Sequence, residues 1–81
     1  MKIENFENLE WHIRNNFIPP YSEQAIQGML KTCEDFQNGK LKLTDEIASG
    51  SGVTVAELFE DLRLELVDGK IFPFNENFHL N

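Results

Sequence analysis

Residues 44–68 read Thr44-Asp45-Glu46-Ile47-Ala48-Ser49-Gly50-Ser51-Gly52-Val53-Thr54-Val55-Ala56-Glu57-Leu58-Phe59-Glu60-Asp61-Leu62-Arg63-Leu64-Glu65-Leu66-Val67-Asp68, and the rest of the chain is organised around them. Thr54 stands three residues before Glu57, with Leu58 and Phe59 next. A threonine hydroxyl so placed accepts from the third helical amide, while the glutamate reaches back to the threonine amide. Two donors that a helix end leaves orphaned are then satisfied together. From that start Val55, Leu58, Phe59, Leu62 and Leu66 fall on one helical face. Asp68-Gly69 supplies a stop, because glycine tolerates the left-handed cap. The spacing predicts a helix over about 55–67, preceded by a Gly50-Ser51-Gly52 turn and a brief helix over 44–49.

Just upstream, Lys40-Leu41-Lys42-Leu43 alternates polar and apolar, as a short half-buried strand does. Before it, Ser22 has the chemistry of an N-cap, with Glu23 favoured in the first turn by the helix dipole. Ile26, Met29, Leu30, Cys33 and Phe36 make the buried stripe of a helix that Asn38-Gly39 ends. Gly28 inside it costs about 1 kcal/mol against alanine and marks a close helix approach. Pro19-Pro20 separates this helix from a first one over about 5–16. Phe6, Leu9, Ile13 and Phe17 share one face of the first helix, and Trp11 lies off that stripe. A tryptophan so placed either packs against another element of the same fold, as small domains often use both sides of a terminal helix, or is offered to a partner. Downstream of Gly69, residues 70–74 and 77–80 read as strands joined at Asn75-Glu76-Asn77. Phe72 and Phe74 share a face of one, Phe78 and Leu80 a face of the other, and Pro73 confines its strand to an edge or bulge.

The expected object is a mainly α single domain with a small β-hairpin, an α+β fold spanning 1–81. With 81 residues, 41% of them apolar, and seven phenylalanines, the chain has material for one core. One cysteine allows no internal disulfide, which fits a reducing compartment. Residues 1–8 are too polar for a signal peptide, and no apolar run approaches the roughly 20 residues that span a bilayer. A cytoplasmic protein with no membrane association is expected.

Charge is unevenly placed. Residues 44–68 hold seven acids against Arg63 alone, so −6 of the total −7 sits in this stretch. A patch of that sign repels phosphate backbones and attracts basic surfaces.

No residue set carries catalytic or ligand chemistry. His12 and His79 are isolated from each other and from any metal-ligand spacing with Cys33, which fits surface or partly buried structural histidines and a small buried thiol. Gly50-Ser51-Gly52 precedes a helix N-terminus but lacks the lysine and length of a P-loop, and Glu57 opposes an anion there. Ser49 and Ser51 have no neighbouring base. The acids lack the alternating spacing of a calcium loop. No catalytic residue, metal or cofactor is expected, and the chain is read as a non-enzyme.

From Ser22 onward, the order helix, short strand, short helix, turn, long helix, hairpin resembles the winged helix-turn-helix domains. Glu46-Ile47-Ala48-Ser49-Gly50-Ser51-Gly52-Val53-Thr54 is similar to that family's turn: a small residue in the first helix, a glycine four residues on, a buried aliphatic, then a capping hydroxyl. Leu58 stands where the second helix contacts the first, and Asp68-Gly69-Lys70-Ile71 resembles the step into the wing. The resemblance implies a helix-turn-helix over 40–68 and a hairpin wing over 70–81. It also implies a DNA-binding transcriptional regulator, whose basic face would have to come from Arg14, Lys31, Lys40, Lys42 and Lys70. The long helix departs from that pattern. Its outward positions are Glu57, Glu60, Asp61 and Glu65, where base readers carry Arg, Lys, Asn or Gln.

The preferred expectation is therefore a small acidic protein-interaction module, such as an inhibitor or regulator. It would dock on a basic, nucleic-acid-binding surface of a larger protein through Glu57, Glu60, Asp61 and Glu65, with Trp11 as an apolar anchor. A self-associating structural subunit, a homodimer through Trp11 and the phenylalanine-rich tail, is the third reading.

Overall fold

The computed structural model describes residues 6–74 and shows a small α+β domain. Helices α1 (Phe6–Asn15), α2 (Glu23–Gln37) and α3 (Val55–Asp61) are followed by strands β1 (Leu64–Val67) and β2 (Lys70–Pro73). The strands form one antiparallel hairpin, with Val67 paired to Lys70 and Leu64 to Pro73. Leu9 and Ile13 of α1, Ile26, Leu30 and Cys33 of α2, Val55, Leu58 and Phe59 of α3, and Leu62, Leu64 and Ile71 make a single core.

The first two helices follow their sequence signals. Ser22 Oγ accepts from the Ala25 amide at 3.1 Å and starts α2. The expected stripe is buried at Ile26, Leu30 and Cys33 and half-buried at Met29 and Phe36, whose ring meets Phe59 edge-on at 5.2 Å. Gly28 is a correction: it is exposed, and a Cβ built there meets nothing within 4 Å, so no helix approaches closely.

The long helix expected over 55–67 is the principal correction. The capping box is present, Thr54 Oγ1 accepting from the Glu57 amide at 3.2 Å and Glu57 Oε1 from the Thr54 amide at 3.0 Å. Yet α3 stops after seven residues. Leu62 caps it and Arg63 takes φ 56°, turning the chain out of the helix. Beyond that point Leu64, Leu66 and their neighbours alternate as a strand. Asp68 (φ 53°) and Gly69 (φ 78°) are both left-handed, as the two central residues of a type I′ hairpin turn must be. Asp-Gly, taken as a helix stop, is the hairpin's turn. Leu66, grouped with the helical stripe, is a partly exposed strand residue.

Other expected elements shift as well. Residues 40–43 form no strand and 44–49 no helix; the segment is a loop closed by an isolated bridge between Glu46 and Thr54. Without a helix before it, the turn over 46–54 is not half of a helix-turn-helix, and Ala48 is exposed rather than under a crossing helix. What fits the winged-helix outline is coarser: three helices followed by a two-stranded hairpin. The strand expected over 70–74 is present as β2, and the turn at 75–77 and the strand over 77–80 lie outside the described residues.

Pro73 sits in its strand without cost to the ladder. The Phe74 amide donates to Arg63 O at 2.7 Å, which makes 63:74 a hydrogen-bonded pair. By antiparallel alternation 65:72 and 67:70 are bonded as well, while 64:73 and 66:71 point their backbone groups outward. Pro73 therefore occupies a position whose N–H the hairpin does not need. The outward amide of Ile71 is met by Gln37 Oε1 at 2.8 Å, tying the last turn of α2 to β2.

Two polar contacts hold α1 in place. His12 is buried, and its Nε2 donates to Leu62 O at 2.7 Å. Because a carbonyl only accepts, the proton is on Nε2, which leaves Nδ1 to accept from Asn16 Nδ2 at 2.8 Å. At the surface, Arg14 makes two hydrogen bonds to Glu23 of α2 (2.6 and 2.9 Å) and one from Nε to Glu10 at 2.9 Å.

Replacing His12 with Leu leaves Leu62 O buried without a donor. The expected loss is about 1–3 kcal/mol, read as a lowered urea midpoint, with His12→Gln losing less. The Arg14 guanidinium, aided by Gln27, holds the Glu23 carboxyl down to about 2 from its ordinary 4.5. The contribution of this pair is complete above pH 4.5 and is lost as pH falls toward 2. Urea midpoints measured across that window should fall less steeply in Glu23→Gln than in the parent.

Candidate functional site

The acids proposed as a docking surface divide between two elements. Glu57, Glu60 and Asp61 are exposed on α3, and their i, i+3, i+4 spacing puts them on one flank. Glu65 is exposed on β1, across the hairpin from Phe72, so it does not continue the helical row. Glu57 differs from the other three. Its carboxylate is engaged with the Thr54 amide and hydroxyl, so its orientation serves the cap. Among the described residues the ion pairs are Arg14–Glu10, Arg14–Glu23 and Lys31–Asp35, which lie on α1 and α2 and leave Glu57, Glu60, Asp61 and Glu65 out.

Trp11 stands apart from this acidic surface in the chain. It is 61% exposed on α1, a helix packed chiefly on α2 and β2. The structure therefore places an open aromatic and an open acidic flank on different elements.

The Gly50-Ser51-Gly52 loop already holds an anion, and it belongs to the chain itself. Glu46 Oε1 accepts from the Gly50 amide at 3.2 Å and Oε2 from the Gly52 amide at 2.9 Å. Both glycines have φ near +75 to +80° and their amides converge on one carboxylate, while the Ser51 amide between them donates to Ala48 O. The N-terminus of α3 is equally occupied. The Val55 amide donates to Asp45 O at 2.9 Å, that of Ala56 to Leu43 O at 3.0 Å, and that of Glu57 to Thr54 Oγ1. Asp45 in turn accepts from the Lys42 amide at 2.8 Å. Two acids of the charged stretch, Asp45 and Glu46, are thus consumed in folding its loop. Glu60, Asp61, Glu65 and Asp68 remain as the outward charge.

Three residues with positioning roles carried weak sequence signals. His12 sits between Leu9 and Ile13 on the buried stripe, which is a sign of burial. Gln37 and Glu46 look like ordinary polar residues, and only the fold brings them to Ile71 and the glycine loop. Among the described residues, no group of three or more His, Cys, Asp or Glu is placed to hold a metal ion, and no helix is long and apolar enough to cross a membrane. Cys33 is fully buried, and burial pushes its thiol up to about 12. A thiol reagent at pH 8 should label native protein far more slowly than urea-unfolded protein, with Cys33 reacting at the rate of opening.

Comparison with protein-family models, curated proteins and solved structures found no match to this chain.

Proposed function

We propose that this protein is a small non-enzymatic interaction module of the cytoplasm, which docks through an acidic surface on a basic surface of a larger protein and acts as its inhibitor or regulator. The observation that carries the reading is that Glu60, Asp61 and Glu65 are exposed and take no part in the ion pairs formed among the described residues. Electrostatic attraction speeds encounter with a cationic surface and weakens as salt rises. Trp11 offers apolar area of the kind that anchors an interface. The winged-helix outline fits a regulator of transcription equally well as a shape, but α3 would present carboxylates to phosphates, which opposes the principal source of non-specific DNA affinity.

The discriminating variant reverses charge at Glu60, Asp61 and Glu65 to lysine and leaves Glu57 in its cap. The parent, immobilised and exposed to native extract at low salt, should retain basic proteins that high salt releases, and the reversed variant should lose them. Retention of the same proteins by both would defeat the reading. Fluorescence polarisation with duplex DNA at low salt should show no binding by the parent, and saturable binding would restore the DNA-regulator alternative. Light scattering at high concentration decides the self-association alternative, for which a monomer is the adverse result.

A further inference from the structure

The two edges of the β1–β2 hairpin are unlike. On β2, the outward amide of Ile71 is taken by Gln37, and Pro73 has no N–H to offer. That strand also carries Lys70, and lysine and proline are the residues that usually blunt an exposed edge. On β1, Leu64 and Leu66 occupy the outward-facing positions, so their N–H and C=O groups point away from β2. Among the described residues no further strand pairs with β1. Its sequence, Leu-Glu-Leu-Val, contains neither lysine nor proline.

The geometry points to this outer edge of β1 as a docking site that takes an extended, basic segment of a partner protein as an added antiparallel strand. The inference rests on the acidic-module reading and gives it a mode of binding. In an added strand, the residue directly opposite Glu65 has its Cβ about 4.5–5.5 Å away, where lysine or arginine is complementary. Its two neighbours lie beside Leu64 and Leu66, and these positions suit valine, isoleucine or leucine. The occupant is thus an alternating apolar–basic–apolar segment. Main-chain bonds would supply affinity and the alternating side chains specificity.

Charge argues against a second copy of this chain. Antiparallel self-pairing that engages both Leu64 and Leu66 is centred on Glu65. It would set Glu65 directly against its own counterpart, an opposition that destabilises a strand pair.

The test uses an end-capped peptide of alternating valine and lysine, the intact protein, and amide hydrogen exchange followed by NMR at low salt. The peptide should slow exchange at Leu64 and Leu66 and leave the Ile71 amide unchanged, while a valine–glutamate peptide should not bind. In the bound register the valine amides face β1 and the lysine amides face away. N-methylation of the valines should therefore weaken binding on the order of tenfold or more, through loss of ladder bonds, and N-methylation of the lysines should leave affinity intact. Equal binding of the two methylated peptides would overturn the strand-addition inference and leave the acidic-module reading standing. Equal binding of the valine–glutamate peptide would remove both. No binding by any peptide overturns the inference alone, because the charge-reversal comparison decides the broader reading independently. Protection of Leu64 and Leu66 that grows with protein concentration in the absence of peptide would make the occupant a second copy, and would also overturn it.

Discussion

The hydrogen bond from His12 to the Leu62 carbonyl is the constraint on which the arrangement of this domain depends. It joins residues fifty apart in sequence, the last turns of α1 and the point where α3 ends. At Leu62 the chain must leave a helix whose apolar period would otherwise carry it further, and Arg63 makes the change in a left-handed conformation. The last carbonyls of a helix have no partner within it. Here a buried imidazole satisfies one of them from across the core. The ring is itself fixed by Asn16 and by edge contact with Phe17 at 5.3 Å, so the donor is held toward the end of α3 by groups of its own segment.

From that fixed point the rest of the packing follows. Leu62 and Leu64 turn inward on either side of Arg63, Ile71 opposite Leu66 is fully buried, and α1 and α2 close over β2. Gln37 then ties α2 to the strand it covers. The loop over 40–54 is held separately, by Glu46 on its two glycine amides and by the carbonyls of Leu43 and Asp45 on the start of α3. Charge divides in the same way. The cations of α1 and α2 pair with acids of those helices, whereas α3 and β1 carry acids outward.

Local chemistry was legible where it was local. Ser22 and Thr54 start their helices because each cap is complete within three residues. Leu9 and Ile13 of α1 and Ile26, Leu30 and Cys33 of α2 are buried where their period places them. Residues 62–67 depart from the helix their spacing predicts for a physical reason. Leu62 and Leu66 satisfy a helical period and a strand period at once, and a run this short is ambiguous until its partner is known. Asp68-Gly69 was the deciding signal, since two left-handed residues between alternating segments favour a hairpin over a cap. The contacts of His12 with Leu62 and of Gln37 with Ile71 span 50 and 34 residues, and no local pattern announces them. The acidic flank was legible as charge. The bond of Glu57 to the Thr54 amide was legible too, being local to the cap. That Asp45 and Glu46 are committed to backbone amides was not, because it depends on how the loop closes.

Pro73 has a consequence for the size of any assembly this domain enters. A proline on one side of a two-stranded ribbon, next to an amide already claimed by Gln37, blocks growth in that direction. A polymer built strand by strand needs each unit to be both acceptor and template. This molecule has one of those faculties and not the other. Among the described residues, complexes formed through this ribbon can therefore extend on the β1 side alone, which limits their stoichiometry.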